Sequence, residues 1–194
     1  VSYELILASS SPRRRDLLAS LGLTFQVVPA AIQEILSPQE AATDFAARVA
    51  EKKALAVGHR HPEAWVIGAD TIVVVDGEIF GKPRDREDAK RMLQQLANRE
   101  HRVITGYALI HVAGEKNIKG VEETRVKISA LEEREIAWYI NTGEPFDKAG
   151  GYAIQGKGAF MVERIEGSYT NVVGLPLNQL VRLFKQVGIG DLFR

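Results

Sequence analysis

The chain contains no cysteine. That excludes a disulfide framework, thiol catalysis and Cys-ligated zinc or iron–sulfur centres, and makes a reducing, cytoplasmic setting the expectation. Excess charge is missing too: 25 Lys plus Arg balance 25 Asp plus Glu. A generic electrostatic partner, whether nucleic acid or an anionic membrane, is therefore disfavoured, and the 7% share of aromatic residues adds little base-stacking capacity. No apolar run approaches the roughly 18 residues of a membrane span. The run nearest the N-terminus, Leu5 to Ala8, is too short for a signal-peptide core. His59, His61, His101 and His111 fall at no metal-binding helical spacing. No Gly-x-Ser-x-Gly nucleophile elbow occurs, which argues against a serine hydrolase.

What is present is ordinary globular composition, 45% hydrophobic and 26% charged over 194 residues. Such a chain buries a core without staples, and its length fits a single domain over residues 1–194, built as one unit or two intimate lobes with no independent linker. Glu4 to Ala8 reads as a buried strand running into Ser9-Ser10-Ser11-Pro12, where Ser11 as N-cap and Pro12 at the first helical position open a helix that ends near Gly22. Thr24 to Pro29 suggests a second strand. Ser37-Pro38-Gln39-Glu40 has capping-box form and predicts a helix to about Gly58. Trp65 to Val75, the Asp76-Gly77 turn and Glu78 to Phe80 predict a hairpin, followed by a helix over about Asp85 to Leu96. Arg102 to Val112 and Gly120 to Ile128 read as strands, Ser129 to Glu132 as a second capping box opening a helix that stops before Gly143, and Gly150 to Ile165 as glycine-spaced strand material. Pro176 to Val187 reads as the last helix, stopped by Gly188. Alternating strands and helices with hairpins among them imply an α/β fold with a mixed sheet.

Three features break local rules. Arg13, Arg14 and Arg15 stand in the first turn of a helix, where the backbone dipole disfavours cations by roughly 0.3–1 kcal/mol each. A strand, a serine-rich turn and a helix N-terminus together offer N–H groups and guanidinium forks to a phosphate; a solvated basic turn is the plainer reading. Asp70 lies inside Val66 to Val75, so apolar a run that an ionised carboxylate there is costly unless paired or metal-bound. It suits a general base or a Mg²⁺ ligand, or else a salt-bridged core aspartate. At about 100° per residue, Lys53 falls within the stripe of Ala42, Phe45, Ala46, Val49 and Ala56, and an inward lysine seeks an anion unless it snorkels past the core. The loop Gly81-Lys82-Pro83-Arg84-Asp85 adds cations after the hairpin, which would bring Lys82 back toward the Asp70 strand. Gly151 to Lys157 follows a P-loop until Gly158 replaces the metal-binding Ser or Thr, and strand rather than helix is expected next, so a P-loop is rejected.

The ordered set Leu7 to Arg15, Glu51 to Ala56, Gly68 to Thr71 with Gly81 to Asp85, Asp147 to Gly156, and Gly167 to Leu177 closely resembles the Maf family of nucleoside triphosphate pyrophosphatases, nearly end to end. The resemblance implies an elongated mixed α/β fold of the inosine triphosphate pyrophosphatase type (Maf/Ham1), with a central cleft between two lobes. It implies hydrolysis of a nucleoside triphosphate to the monophosphate and pyrophosphate with Mg²⁺ or Mn²⁺. Asp70 would take the proton of the attacking water. Ser9, Arg14, Lys53 and Lys82 would hold the phosphates, and Glu34 would join Asp70 at the metal. Arg13, Thr71 and Gln155 stand where the dTTP/UTP branch differs from the 7-methyl-GTP branch, and all three point to the pyrimidine branch. The amide of Gln155 can both donate and accept at the imide edge of uracil or thymine. Gln33 departs from the acidic residue that relatives often place beside Glu34. The partner implied is a small nucleoside triphosphate, and relatives suggest a homodimer. The competing readings are a 7-methyl-GTP pyrophosphatase and a nucleotide-binding regulator of septum formation with little hydrolysis.

Overall fold

The computed structural model describes residues 4–189. In chain order the elements are β1 (Leu5–Leu7), α1 (Pro12–Ala19), β2 (Gln26–Val27), α2 (Ala42–Gly58), β3 (Trp65–Val75), β4 (Glu78–Phe80), α3 (Arg86–Leu96), β5 (Glu100–His111), β6 (Lys116–Ile128), α4 (Glu133–Asn141), β7 (Val162–Glu166), α5 (Tyr169–Val173) and α6 (Leu177–Val187). The strand order is β2-β1-β3-β5-β6-β7, with β4 paired to β3. The sheet is mixed: β1 runs parallel to β2 and β3, while β4 returns antiparallel to β3 and β7 antiparallel to β6.

The chain divides into two compact units. The first holds the described residues through Asp70, with Thr105–Glu122 and the described residues from Gly174 onward. Its strand β1 is apolar on both faces because both are covered. Leu5 and Leu7 pack with Leu18, Ile67, Leu109, Leu180 and Phe184, whereas Ile6 and Ala8 pack with Ala54, Val57, Val66 and Ile110. Each leucine, isoleucine, valine or phenylalanine among these contributes roughly 1.5–3 kcal/mol by leaving water. Glycine sets how closely α2 approaches the sheet. A Cβ on Gly68 would collide with the Ala50 carbonyl oxygen, and one on Gly106 with that of Ala46.

The second unit holds Thr71–Ile104 and Glu123–Val173. Its core joins Val73, Val75 and Phe80 to Met92, Leu96, Val126, Ile136 and Tyr139. The hairpin turns at Asp76 and Gly77, both with positive φ (49° and 81°), as a two-residue turn matched to strand twist requires. Asp85 caps helix α3, its side chain accepting from the Asp88 N–H at 2.8 Å. Hydrogen bonds from Arg84 and Arg91 hold the buried Asp88 carboxyl down at about 2.

Several boundaries differ from the sequence reading. Helix α2 begins at Ala42, not at Ser37. Glu40 does accept from the Ser37 N–H, but Gln39 adopts φ 62°, which closes an isolated turn and stops helix propagation. The box opening α4 is Glu132 with Glu135, not one capped by Ser129. In place of strand from Gly150 to Met161 the chain forms two 3₁₀ turns, Ala149–Gly151 and Gly156–Met161, because Gly150, Gly151 and Gly156 take positive φ and interrupt any extended run. Strand β6 starts at Lys116, ahead of the expected Gly120, and the short helix α5 was not expected.

Candidate active site

The turn after β1 places the first candidate groups. The Ser11 hydroxyl caps α1 by accepting from the Arg14 N–H (3.4 Å), and the Ser9 hydroxyl accepts from the Ser11 N–H (3.2 Å). Ser9 is buried. Arg14 folds back over this turn: its Nε donates to the Gly174 carbonyl at 2.7 Å and its Nη1 to Ser9 Oγ at 3.3 Å. Burial lowers the pKa of the Arg14 guanidinium, an effect opposed by the negative charges of Asp70 and Glu34. Both carboxylates thus act on the arginine that the sequence left in search of an anion. Arg15 pairs with Asp16 at the surface (2.8 Å), and Arg13 is half-buried on α1.

The centre of the cluster is Lys53. It projects inward from α2, as its place in the apolar stripe implied, and its side chain is only 12% exposed. Nζ lies 2.7 Å from Asp70 Oδ1 and 2.7 Å from Glu34 Oε1. Asp70 is 7% exposed at the side chain and Glu34 is 49% exposed. One ammonium therefore bridges an inner and an outer carboxylate. The close packing of α2 at Gly68, two residues before Asp70, makes the short Lys53 contact reachable.

Asp70 and Glu34 are an all-oxygen donor pair, the chemistry that Mg²⁺ and Mn²⁺ take when substrate phosphates and waters complete the shell. Among the described residues, no group of three His, Cys, Asp or Glu side chains is placed to hold a metal alone. The pair fits a cation shared with a polyphosphate rather than a resident structural ion.

Structure thus gathers Ser9, Arg14, Glu34, Lys53 and Asp70 within the first unit. Thr71, Lys82 and Gln155 belong to the second. Thr71 is half-buried, and Lys82 and Gln155 are exposed. The last hairpin pair is Val73 with Phe80, two residues from Thr71 on one strand and two from Lys82 on the other. The sequence reading missed two groups. The Gly174 carbonyl that anchors Arg14 is a backbone atom 160 residues away. The other is Glu144, whose carboxylate accepts from the Lys157 and Gly158 N–H groups 13 and 14 residues onward.

The Maf-like protein family model matches residues 4–187. The dTTP/UTP pyrophosphatase of Myxococcus xanthus (strain DK1622) is 51% identical over 185 residues, covering 95% of this chain and 93% of the relative. That of Geobacter metallireducens (strain ATCC 53774 / DSM 7210 / GS-15) is 52% identical over 184 residues, covering 95% and 96%. Among solved structures, the Staphylococcus aureus Ham1 protein superposes with a TM-score of 0.58 at 14% identity, covering 95% of this chain and 99% of that one. A HAM1 protein from Coxiella burnetii gives 0.56 at 13% identity, covering 95% and 100%. These two likenesses establish a shared mixed α/β fold. The match along residues 4–187 and the half-identical relatives establish more: the chain belongs to the Maf family.

Proposed function

We propose that this chain is a nucleoside triphosphate pyrophosphatase that hydrolyses dTTP and UTP to the monophosphate and pyrophosphate. The observation that carries the mechanism is Lys53 Nζ at 2.7 Å from both Asp70 and Glu34, with Arg14 in their electrostatic field. Relatives about half identical along nearly the whole chain bear the name dTTP/UTP pyrophosphatase. In this reading Arg14, Lys53 and Lys82 neutralise the phosphate oxygens, with Arg13 beside them, and the Ser9 hydroxyl contributes a donor. Asp70 accepts a proton from water as the water oxygen attacks the α-phosphorus. The bond from that phosphorus to the bridging oxygen breaks, and pyrophosphate leaves with the electron pair. Held by Asp70 and Glu34, Mg²⁺ or Mn²⁺ would supply positive charge that makes water a better nucleophile and offsets phosphate charge. Thr71 and Gln155 are assigned to the nucleoside, Gln155 to the imide edge of the base.

The test is pyrophosphate release from dTTP, UTP, CTP, GTP and 7-methyl-GTP, by the wild type and by Asp70→Asn. Release is expected from dTTP and UTP, abolished by chelation and restored by Mg²⁺ or Mn²⁺. Near wild-type turnover in Asp70→Asn would sink the mechanism, and tight binding without turnover in the wild type would replace the enzyme by a nucleotide-binding regulator. The compartment assigned is the cytoplasm, from the absence of cysteine. Among the described residues no helix is long and apolar enough to cross a membrane. The assembly assigned is a homodimer, which sedimentation equilibrium checks: a single species at 21.4 kDa would count against it.

A further inference from the structure

The glycine-rich segment that imitates a P-loop in sequence holds an anion that the chain itself supplies. Glu144 opens a 3₁₀ turn, Glu144–Asp147, behind Gly143 with φ 76°. Its Oε2 accepts from the Lys157 N–H at 3.0 Å, and its Oε1 from the Gly158 N–H at 3.0 Å and the Tyr139 hydroxyl at 3.1 Å. Two successive backbone N–H groups thus converge on one carboxylate, as they converge on phosphate in a true P-loop. Burial raises the Glu144 pKa, but these backbone and hydroxyl donors outweigh it and leave the carboxyl below its ordinary range. Tyr139 is fully buried, and burial beside Glu144 pushes its phenol well above the usual value, so it stays a neutral donor.

Both flanking glycines are required by this approach. Gly156 has φ 68°, and a Cβ on it would stand 2.8 Å from Glu144 Oε2. A Cβ on Gly158 would stand 2.7 Å from the Tyr139 hydroxyl and 2.7 Å from the Ala153 carbonyl oxygen. Gln155 immediately precedes this clamped turn, with extended backbone (φ −107°, ψ 167°) and an exposed side chain.

We propose that Glu144 is a positioning residue for substrate discrimination: by holding the Lys157 and Gly158 N–H groups it fixes the turn that presents Gln155 to the base edge. The proposal rests on the assignment of Gln155 to the imide edge. Glu144 touches neither substrate nor reacting atoms; it acts through the turn. A fixed turn gives the amide one direction of approach, and misdirected or unpaired polar groups are what separate hydrogen-bonding analogues in binding.

The experiment measures kcat and KM for UTP and CTP, which differ at that edge, in the wild type, Glu144→Gln, Gln155→Ala, the double variant and Tyr139→Phe. Backbone amide spectra of Lys157 and Gly158 report the turn directly. Gln155→Ala should cut the preference for UTP over CTP by about ten-fold. Glu144→Gln keeps the volume but can accept only one of the two N–H groups, and should cut it by about three- to ten-fold, the worth of one lost hydrogen bond. This loss should appear mainly in KM, with shifted Lys157 and Gly158 amides and no further loss in the double variant. Tyr139→Phe leaves both amides held and should keep the preference. The proposal is overturned if Glu144→Gln retains the wild-type preference while Gln155→Ala loses it, or if the two losses multiply in the double variant. If Gln155→Ala retains the preference, the base assignment falls and takes this proposal with it. A wild type that releases no pyrophosphate instead sinks the activity itself.

Discussion

Two carboxylates are held in opposite ways in the two units. Asp70 in the first is met by a side chain, Lys53, which also serves Glu34. Glu144 in the second is met by two backbone N–H groups and a buried phenol. A lysine that serves two anions can turn toward a third without breaking any secondary structure. Backbone amides cannot leave without undoing the turn. The first arrangement suits chemistry in which ligands come and go, and the second suits a fixed shape.

The contrast is broken most sharply at Asp70. Asp70→Asn preserves shape but removes the carboxylate proposed as the base, and turnover should fall by about 10²–10⁴-fold with the circular dichroism spectrum unchanged. Equal losses from Asp70→Asn and Glu144→Gln would erase the distinction between reacting and shaping carboxylates.

A second comparison concerns acid. His101, on β5, is buried, with its Nε2 2.7 Å from the Tyr152 hydroxyl and its Nδ1 without a partner in the described structure. Burial pulls its pKa from 6.5 down to about 4. The unfolded chain therefore binds a proton that the folded one refuses. Stability from this residue is complete above pH 6.5 and falls as pH drops through 4, by about 3 kcal/mol at roughly 1.4 kcal/mol per pH unit. Urea titrations between pH 7 and pH 4 should show this slope, and His101→Asn should flatten it.

Glycine offers a third. Gly106→Ala forces a methyl into the backbone of α2 at Ala46, so a loss of about 1–3 kcal/mol in urea denaturation is expected. Gly68→Ala should act alike and also raise KM, since it moves Lys53 away from Asp70. The smallest effect is at Gly77, where φ is 81° but nothing lies within 4 Å of an added Cβ. Gly77→Ala should cost about 1 kcal/mol, the left-handed backbone penalty alone. A Gly77→Ala loss equal to that of Gly106→Ala would mean that backbone strain, not close approach, governs both.

The Lys53–Asp70 pair was far more legible from sequence than the turn that clamps Glu144. Strand β3 was read with its observed bounds, Trp65–Val75, because an unbroken apolar run meets a two-residue turn signal. Asp70 announced itself by interrupting that run, and Lys53 by its angle on an amphipathic helix. The failures share a cause. Gln39 at φ 62° and the glycines of the 3₁₀ turns depend on backbone states that composition does not specify. Glu144 finds its amide partners 13 and 14 residues onward, across turns with no periodicity to count along. Gln155 was named by family likeness and not by physical pattern, whereas Lys82 was also marked by its cationic loop after the hairpin; both are exposed side chains.

The hydrogen bond from Arg14 to the Gly174 carbonyl also sets a timetable for biosynthesis. These partners are separated by 160 residues, which a ribosome adds in roughly 8 to 32 s at about 5–20 residues per second. Throughout that interval the guanidinium has been made but its carbonyl anchor has not. The turn after β1 is therefore completed after translation has passed nearly all of the matched family region, and a nascent chain halted before Gly174 carries the arginine without its anchor.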